Sequence, residues 1–242
     1  MRVALISDLH GNRVSLDAVL ADIDRRGVDQ IVCLGDVATL GPRPREVIGT
    51  LRDRGCRCIL GNHDAFMLDA ELIRTYTEVP IVVHAVQWCR ERLNEEDLAF
   101  LSSFEERIEM DLGAGTRALL FHGSPRSHME DLLATMDPDE LDEALGSTDA
   151  TVLAGGHTHV QMLRQHRSML LVNPGSTGMP FKEYVGGCAP EIMPYAEYAI
   201  IEAEAGEVQV SLRRISVDRR RLHEEAASSS NPICRPLEQQ YA

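Results

Sequence analysis

The chain has 242 residues, 44% of them hydrophobic, with 38 acidic side chains against 24 basic ones and a formal net charge of −14. That length suits one domain or one domain with a small appendage, and the apolar content is too high for a disordered polymer. The acidic excess argues against nucleic acid as the main partner, because phosphate backbones bind through clustered Lys and Arg, but it leaves room for a small phosphorylated substrate.

Val3 to Ser7 is a short apolar run ending at Asp8, as in a buried strand. Leu16, Val19, Leu20 and Ile23 follow at helical spacing, with Asn12 as N-cap and Gly27 as the C-terminal stop. Gln30 to Leu34 is a second strand before Gly35-Asp36. Pro44 opens a helix through Val47, Ile48 and Leu51, and Gly55 closes it. Cys56 to Leu60 is a third strand before Gly61-Asn-His-Asp64, with both thiols on one face. This alternation predicts an α/β domain with a parallel sheet portion.

Val82, Ala85, Val86, Cys89 and Leu93 mark a longer amphipathic helix, and Asn94 with Asp97 caps a short one. Arg107–Asp111 and Thr116–Phe121 pair across the turn Gly113-Ala-Gly115. Asp137-Pro138 starts a helix that Gly146 stops, and Thr151–Ala154 is an apolar strand before Gly155-Gly156-His157. Two hairpins follow, Val160–Arg164 with Ser168–Val172 and Glu197–Glu202 with Glu207–Arg214. Residues Lys182 to Pro194 read as an irregular loop. The chain is expected to be a single domain over 1–242, with a weakly ordered tail from about residue 222.

No run approaches the roughly 18 apolar residues of a membrane span. Met1 to Ile6 reaches Asp8 before a signal-peptide core could form, so a cytoplasmic location is expected. Six scattered cysteines without a Cys-x-x-Cys pair read as reduced thiols rather than a zinc site or a disulfide frame.

Five strand ends carry metal-competent residues: Asp8 with His10, Asp36, Asn62 with His63, His122, and His157 with His159. Carboxyl ends of strands face the ligand crevice in open α/β sheets, so residues distant in sequence converge there. Imidazole nitrogen with carboxylate and amide oxygen, and no thiolate, suits borderline divalent metals. Two such ions can bind the attacking and the leaving oxygen of a phosphoryl displacement. Asp36, alone between the other groups, is the natural bridging carboxylate.

Taken singly, each residue has an ordinary explanation: Asp8, Asp36 or Asn62 could serve a turn, and His157 and His159 could share one strand face. A bland account must explain all five strand ends separately. Conversely, His84, His128, His166 and His223 read as ordinary surface or core residues. The run Arg213, Arg214, Arg219, Arg220, Arg221 lacks interleaved aromatics and reads as a solvated or ion-paired face. Arg43 and Arg126 each follow a site motif and are candidate phosphate clamps.

Asp8-Leu-His10, Gly35-Asp36, Gly61-Asn-His-Asp64, His122-Gly123 and Gly156-His-Thr-His159 resemble the five ordered motifs of the calcineurin-like metallophosphoesterase superfamily. Asp8-Leu-His-Gly-Asn12 and Asn173-Pro-Gly-Ser176 resemble its small bacterial and archaeal phosphodiesterase branch. The match runs from Val3 to about Ser176. It implies an α/β (α+β) fold, a four-layer α-β-β-α sandwich of two mixed sheets flanked by helices. It also implies two divalent metal ions, manganese first among Mn, Fe, Zn, Co and Ni. Asp8, His10 and His159 would bind one ion and Asn62, His122 and His157 the other, with Asp36 shared.

The implied activity is hydrolysis of a small phosphodiester or phosphomonoester by a metal-activated water or hydroxide. His63 would be the general acid and Asp64 would orient it. The same resemblance leaves a non-catalytic binding scaffold, a protein phosphatase and a nuclease as alternatives. Substrate choice falls to the loops 38–45, 124–136 and 180–194.

Overall fold

The computed structural model describes residues 1–242. Ten strands and nine α-helices follow one another in the order β1 (Arg2–Ile6), α1 (Arg13–Arg26), β2 (Gln30–Cys33), α2 (Pro44–Asp53), β3 (Arg57–Cys58), α3 (Asn62–Leu68), α4 (Ile73–Tyr76), α5 (Pro80–Arg90), α6 (Glu95–Ser102), β4 (Ile108–Gly113), β5 (Thr116–Leu120), α7 (Pro138–Leu145), β6 (Val152–Ala154), β7 (Met162–His166), β8 (Met169–Asn173), β9 (Tyr195–Glu204), β10 (Glu207–Ser216), α8 (Arg219–Ser228) and α9 (Cys234–Tyr241). A 3₁₀ turn, Ala70–Leu72, links α3 to α4.

The strands form two five-stranded sheets, ordered β10-β9-β1-β2-β3 and β4-β5-β6-β8-β7. In the first sheet β1, β2 and β3 are parallel, β9 returns antiparallel beside β1, and β10 pairs antiparallel with β9 at the edge. In the second, β5, β6 and β8 are parallel, with β4 and β7 antiparallel at the edges. Both sheets are therefore mixed, as expected.

Strand alternation separates the layers. From β1, Ala4 and Ile6 face a helical cluster that contains Leu16, Val19, Ile48, Leu51, Phe66 and Cys89. Val3 and Leu5, on the other face, join Val32, Leu34, Leu120, Val152, Ala154 and Val172 between the sheets. Leu119, Phe121 and Leu153 turn from the second sheet to Leu141, Ala144 and Leu145 of α7. Helices, sheet, sheet and helix thus stack as four layers held by three apolar interfaces.

Residues from 222 onward differ from the expected weak tail. Polar sequence gave α8 little amphipathic signal, yet Leu222 and Ala226 pack with Cys234, Leu237 and Tyr241 of α9 against Val14, Met179 and Ile192. The connection is tied down by Asn231 Nδ2, which donates to Leu40 O (3.1 Å), and by Trp88 Nε1, which donates to Ser230 Oγ (3.0 Å). Tertiary partners, rather than local propensity, order this segment. Within the basic run, Arg214 pairs with Glu197 (2.9 Å) and Arg220 with Glu224 (3.2 Å). Cys56 and Cys58 are both buried in the helical cluster, and all six cysteines are free thiols. No helix is long and apolar enough to cross a membrane.

Candidate metal centre

The carboxyl ends of β1, β2, β3, β5 and β6 meet at one end of the two sheets. Asp8 and His10 follow β1, Asp36 follows β2, and Asn62 opens α3 just after β3. His122 follows β5, and His157 and His159 follow β6. Two groups result, each with its ligand atoms within 4.8 Å of one another: Asp8, His10 and His159, and Asp36, His122 and His157. Asn62 joins the second group, its Oδ1 lying 3.1 Å from His122 Nε2. Asp36 Oδ2 lies 3.5 Å from His122 Nε2 and 3.8 Å from His10 Nε2, so one carboxylate oxygen reaches both groups.

The backbone is forced into an uncommon shape here. Nine non-glycine residues have positive φ, and Asp8, His10, Asp36, His157 and His159 are five of them. A left-handed backbone costs a non-glycine residue roughly 1–2 kcal/mol, and such strain gathers at functional sites. Gly35 (φ +109°) meets the same demand and has no room for a side chain: a Cβ there would lie 2.8 Å from His122 Nδ1 and 2.7 Å from Gly61 N.

Backbone donors aim the carboxylates. His157 N–H donates to Asp8 Oδ2 (3.1 Å) and His63 N–H donates to Asp36 Oδ1 (2.9 Å). That leaves Asp8 Oδ1 buried without a hydrogen bond, and Asp36 Oδ2 turned to the histidines. Asp64 departs from its expected role, because it has no hydrogen bond to the His63 ring. Its carboxylate accepts instead from Asp36 N (2.7 Å), Val37 N (2.9 Å) and Gly61 N (3.0 Å). A capping carboxylate at the start of α3 thus pins the loop that carries Asp36. Burial and then the Asp36 charge raise its pKa, against the pull of the three N–H donors.

The histidines show what the centre is suited to hold. His122 Nδ1 donates to Leu34 O (2.7 Å) and His159 Nδ1 donates to Met179 O (2.7 Å). A carbonyl only accepts, so the proton of each neutral ring sits on Nδ1 and Nε2 carries a lone pair. Yet His122 Nε2 faces the Asn62 oxygen, and His159 Nε2 faces His10 Nε2 at 3.1 Å and Asp8 Oδ1 at 3.4 Å. Acceptors facing acceptors in a buried site call for a cation, and the donor set fits a divalent one.

The carboxylates and the rings shift one another's proton affinities. Burial alone would lower the His122 pKa, but Asp36 overrides it and lifts the ring to about 9. The charge of Asp8 likewise raises His159 against its burial. The ionised partners prevail over desolvation at Asp8, held down to about 2, and at Asp36, held well below the carboxylate range. Burial pushes His10, His63 and His157 down, His157 to about 4.

His63 stands beside both groups, its ring 5.0 Å from that of His10 and edge-on to it. Its Nδ1 is buried with no partner, and Phe66 and the exposed Tyr76 flank it at 5.1 and 5.8 Å. Arg43 and Arg126 are already engaged, Arg43 with Glu225 and Arg126 with Glu130 (2.5 Å). Neither is a free phosphate clamp.

Sequence reasoning missed the residues that brace the ligands. Thr39 Oγ1 holds His10 Nδ1 (3.1 Å), and Phe181 stacks on His159 at 4.1 Å. Ser176 Oγ donates to Asp8 O (2.7 Å), and Asn173 Nδ2 donates to Gly156 O (2.7 Å). The Asn173–Ser176 motif pointed to the last two. Nothing local marked Thr39 or Phe181.

Residues 1–190 match the model of the calcineurin-like phosphoesterase superfamily domain. The chain belongs to the calcineurin-like phosphoesterase superfamily. Within this superfamily it is 31% identical over 193 residues to the protein MJ0912 of Methanocaldococcus jannaschii, covering 74% of this chain and 76% of that one. It sits with that protein in the superfamily's small branch. The crystal structure of a metallophosphoesterase from Sphaerobacter thermophilus superposes with a TM-score of 0.75 at 25% identity, covering 99% of this chain and 100% of that one. A hypothetical protein from Pyrococcus horikoshii shares the fold, with a TM-score of 0.78 at 18% identity over 98% of this chain and 97% of that one.

Proposed function

We propose that this chain hydrolyses phosphoesters at a two-metal centre. Asp8, His10 and His159 hold one ion, and Asn62, His122 and His157 hold the other. Asp36 serves both, and manganese is the first choice of metal. The observation that carries the reading is the pair of buried ligand groups with acceptor atoms turned on one another, beside the unpartnered His63 Nδ1. Two divalent ions there would neutralise charge on the phosphoryl group and make a water molecule acidic enough to attack it at neutral pH.

The remaining work falls to the chain's own residues. Asp64 and the backbone N–H of His63 hold Asp36 in place from two sides. His63 delivers a proton to the leaving oxygen. Burial lowers the pKa of its ring, and the negative charge of a bound phosphoester acts the other way, favouring the protonated ring. The apolar packing on both faces of each sheet keeps the ligand-bearing loops in register.

Bound substrate is expected to be a small phosphoester, with diesters preferred. The acidic chain, with Arg43 and Arg126 already ion-paired, argues against a polyanion. The test is turnover of bis(4-nitrophenyl) phosphate and 4-nitrophenyl phosphate by Mn²⁺-loaded protein. Release of nitrophenol above a chelated control is expected, faster from the diester. No turnover with Mn²⁺, Fe²⁺, Zn²⁺, Co²⁺ or Ni²⁺ would sink the proposal.

A further inference from the structure

Three of the four candidate imidazole ligands have one ring nitrogen tied to the protein. His10 Nδ1 contacts Thr39 Oγ1 at 3.1 Å, His122 Nδ1 donates to Leu34 O at 2.7 Å, and His159 Nδ1 donates to Met179 O at 2.7 Å. Each thereby presents Nε2 to the centre: His10 and His122 towards Asp36, His159 towards Asp8. A ring fixed in this way keeps its tautomer and its direction, which is what a metal ligand needs.

His157 is the exception. Its ring makes no protein hydrogen bond, although it is packed beside His122 with ring centroids 5.2 Å apart. The one carboxylate within ion-pair distance of its Nε2 is Asp131, whose Oδ1 lies 3.5 Å away. Asp131 belongs to none of the five motifs and sits in the connection between β5 and α7. Its other oxygen, Oδ2, accepts from the Tyr184 hydroxyl at 2.6 Å. Tyr184 comes from a different connection, between β8 and β9.

We infer that Asp131, braced by Tyr184, is the positioning residue that orients His157 for the metal centre. The inference rests on the two-metal reading above. With Nε2 beside Asp131, Nδ1 would be the nitrogen left for the metal, the reverse of the other three rings. The division of labour within the Asp131 carboxylate supports this. Tyr184 occupies one oxygen and fixes the plane of the group, which leaves the other oxygen aimed at His157. A cation on Nδ1 makes the opposite N–H a stronger donor, so the contact at Oδ1 tightens as metal binds. The arrangement also gives the 124–136 and 180–194 loops a shared task, since they meet in this one hydrogen bond.

Mn²⁺ titration by calorimetry, on wild type, Asp131→Ala, Asp131→Asn and Tyr184→Phe, tests the inference without any turnover. Wild type is expected to take up two ions. Asp131→Ala should weaken one of the two by about 10–100-fold, the usual effect of removing a ligand's outer partner, and leave the other unchanged. Asp131→Asn, whose amide oxygen can still accept from the ring, should recover part of the loss. Tyr184→Phe should weaken the same ion only several-fold, because the carboxylate remains and loses its brace. The melting temperature of each chelated variant should match that of the chelated wild type.

Two ions bound by Asp131→Ala with wild-type affinity would overturn the inference and leave the two-metal reading standing. Equal weakening of both ions, together with a lower chelated melting temperature, would also overturn it by making Asp131 a general loop brace. Fewer than two ions in wild type would remove the two-metal reading, and this inference with it.

Discussion

The two sheets contribute different chemistry to the same centre. The first supplies every candidate oxygen ligand (Asp8, Asp36 and Asn62) with the single imidazole of His10; the second supplies candidate imidazole ligands only, from His122, His157 and His159. The negative charge thus belongs to one layer and three of the four imidazoles to the other, so each candidate group draws on both layers. The contacts that orient the ligands also cross between the sheets. His122, after β5, is held by Leu34 O after β2, and Asp8, after β1, accepts from His157 N–H after β6. The centre exists only when the interface built by Leu5, Val32, Leu120 and Val152 is closed. Metal uptake should therefore act as a clamp on sheet–sheet packing.

This division predicts unequal damage. Asp36→Ala removes the charge shared by both groups and should cost both ions and all metal-dependent turnover. His122→Ala removes one neutral donor and should cost one ion while the other stays. Elemental analysis of purified, Mn²⁺-loaded variants separates the two outcomes. Equal losses from the two variants would break the contrast between sheets.

His63 is the next test, because it lies on the first sheet's side without serving as a ligand. His63→Ala should keep both ions and lower kcat by about 10²–10⁴-fold, the range for losing a general acid. Steady-state kinetics with parallel metal analysis reads both effects. An unchanged kcat would remove His63 from the mechanism.

Smaller effects are expected away from the centre. Asp22 is buried at the first sheet's helical face, accepting from Arg25 (2.9 Å), Arg26 (2.8 Å) and the Tyr198 hydroxyl (2.7 Å). Burial works to raise its pKa, but these donors bring it down from 3.8 to about 2. The unfolded chain therefore takes up the proton first, so the stabilisation is complete above pH 3.8 and is lost as pH falls through about 2. Asp22→Ala should cost about 1–3 kcal/mol at pH 7 by denaturant titration, and the deficit should shrink towards pH 2. A deficit independent of pH would show that packing, and not charge, sets the loss.

The smallest effect should come from Arg126. It is half-exposed and paired with Glu130 and Glu143. Arg126→Ala should leave the melting temperature close to that of the wild type, as for a surface ion pair, and the KM for a phosphodiester unaltered. A large rise in KM would restore it as a clamp.

The seven candidate ligands were legible because each sits within a few residues of the end of a strand, and strand, glycine and ligand lie together in sequence. Asp64 was legible as part of the site and misassigned within it. Its partners are backbone N–H groups at Asp36 and Val37, and nothing local reveals a bond across 27 or 28 residues. Helices α3 and α4 were hidden because Gly61-Asn-His-Asp64 has the composition of a turn, and because seven- and four-residue helices carry little periodicity. The C-terminal helices were hidden for the complementary reason: only Leu222 and Ala226 of α8 are buried, too few to write an amphipathic stripe. Thr39, Asp131 and Phe181 act through contacts that exist only in the folded chain.

The left-handed backbone at Asp8 and Asp36 has an evolutionary consequence. Asn and Gly are the residues that adopt this conformation most cheaply, alongside Asp itself. Single-step drift at these two positions is therefore channelled towards replacements that preserve the turn while discarding the charge. A descendant of this chain could lose both candidate carboxylate ligands within a few substitutions and still fold, with the sandwich intact and its crevice open to other uses.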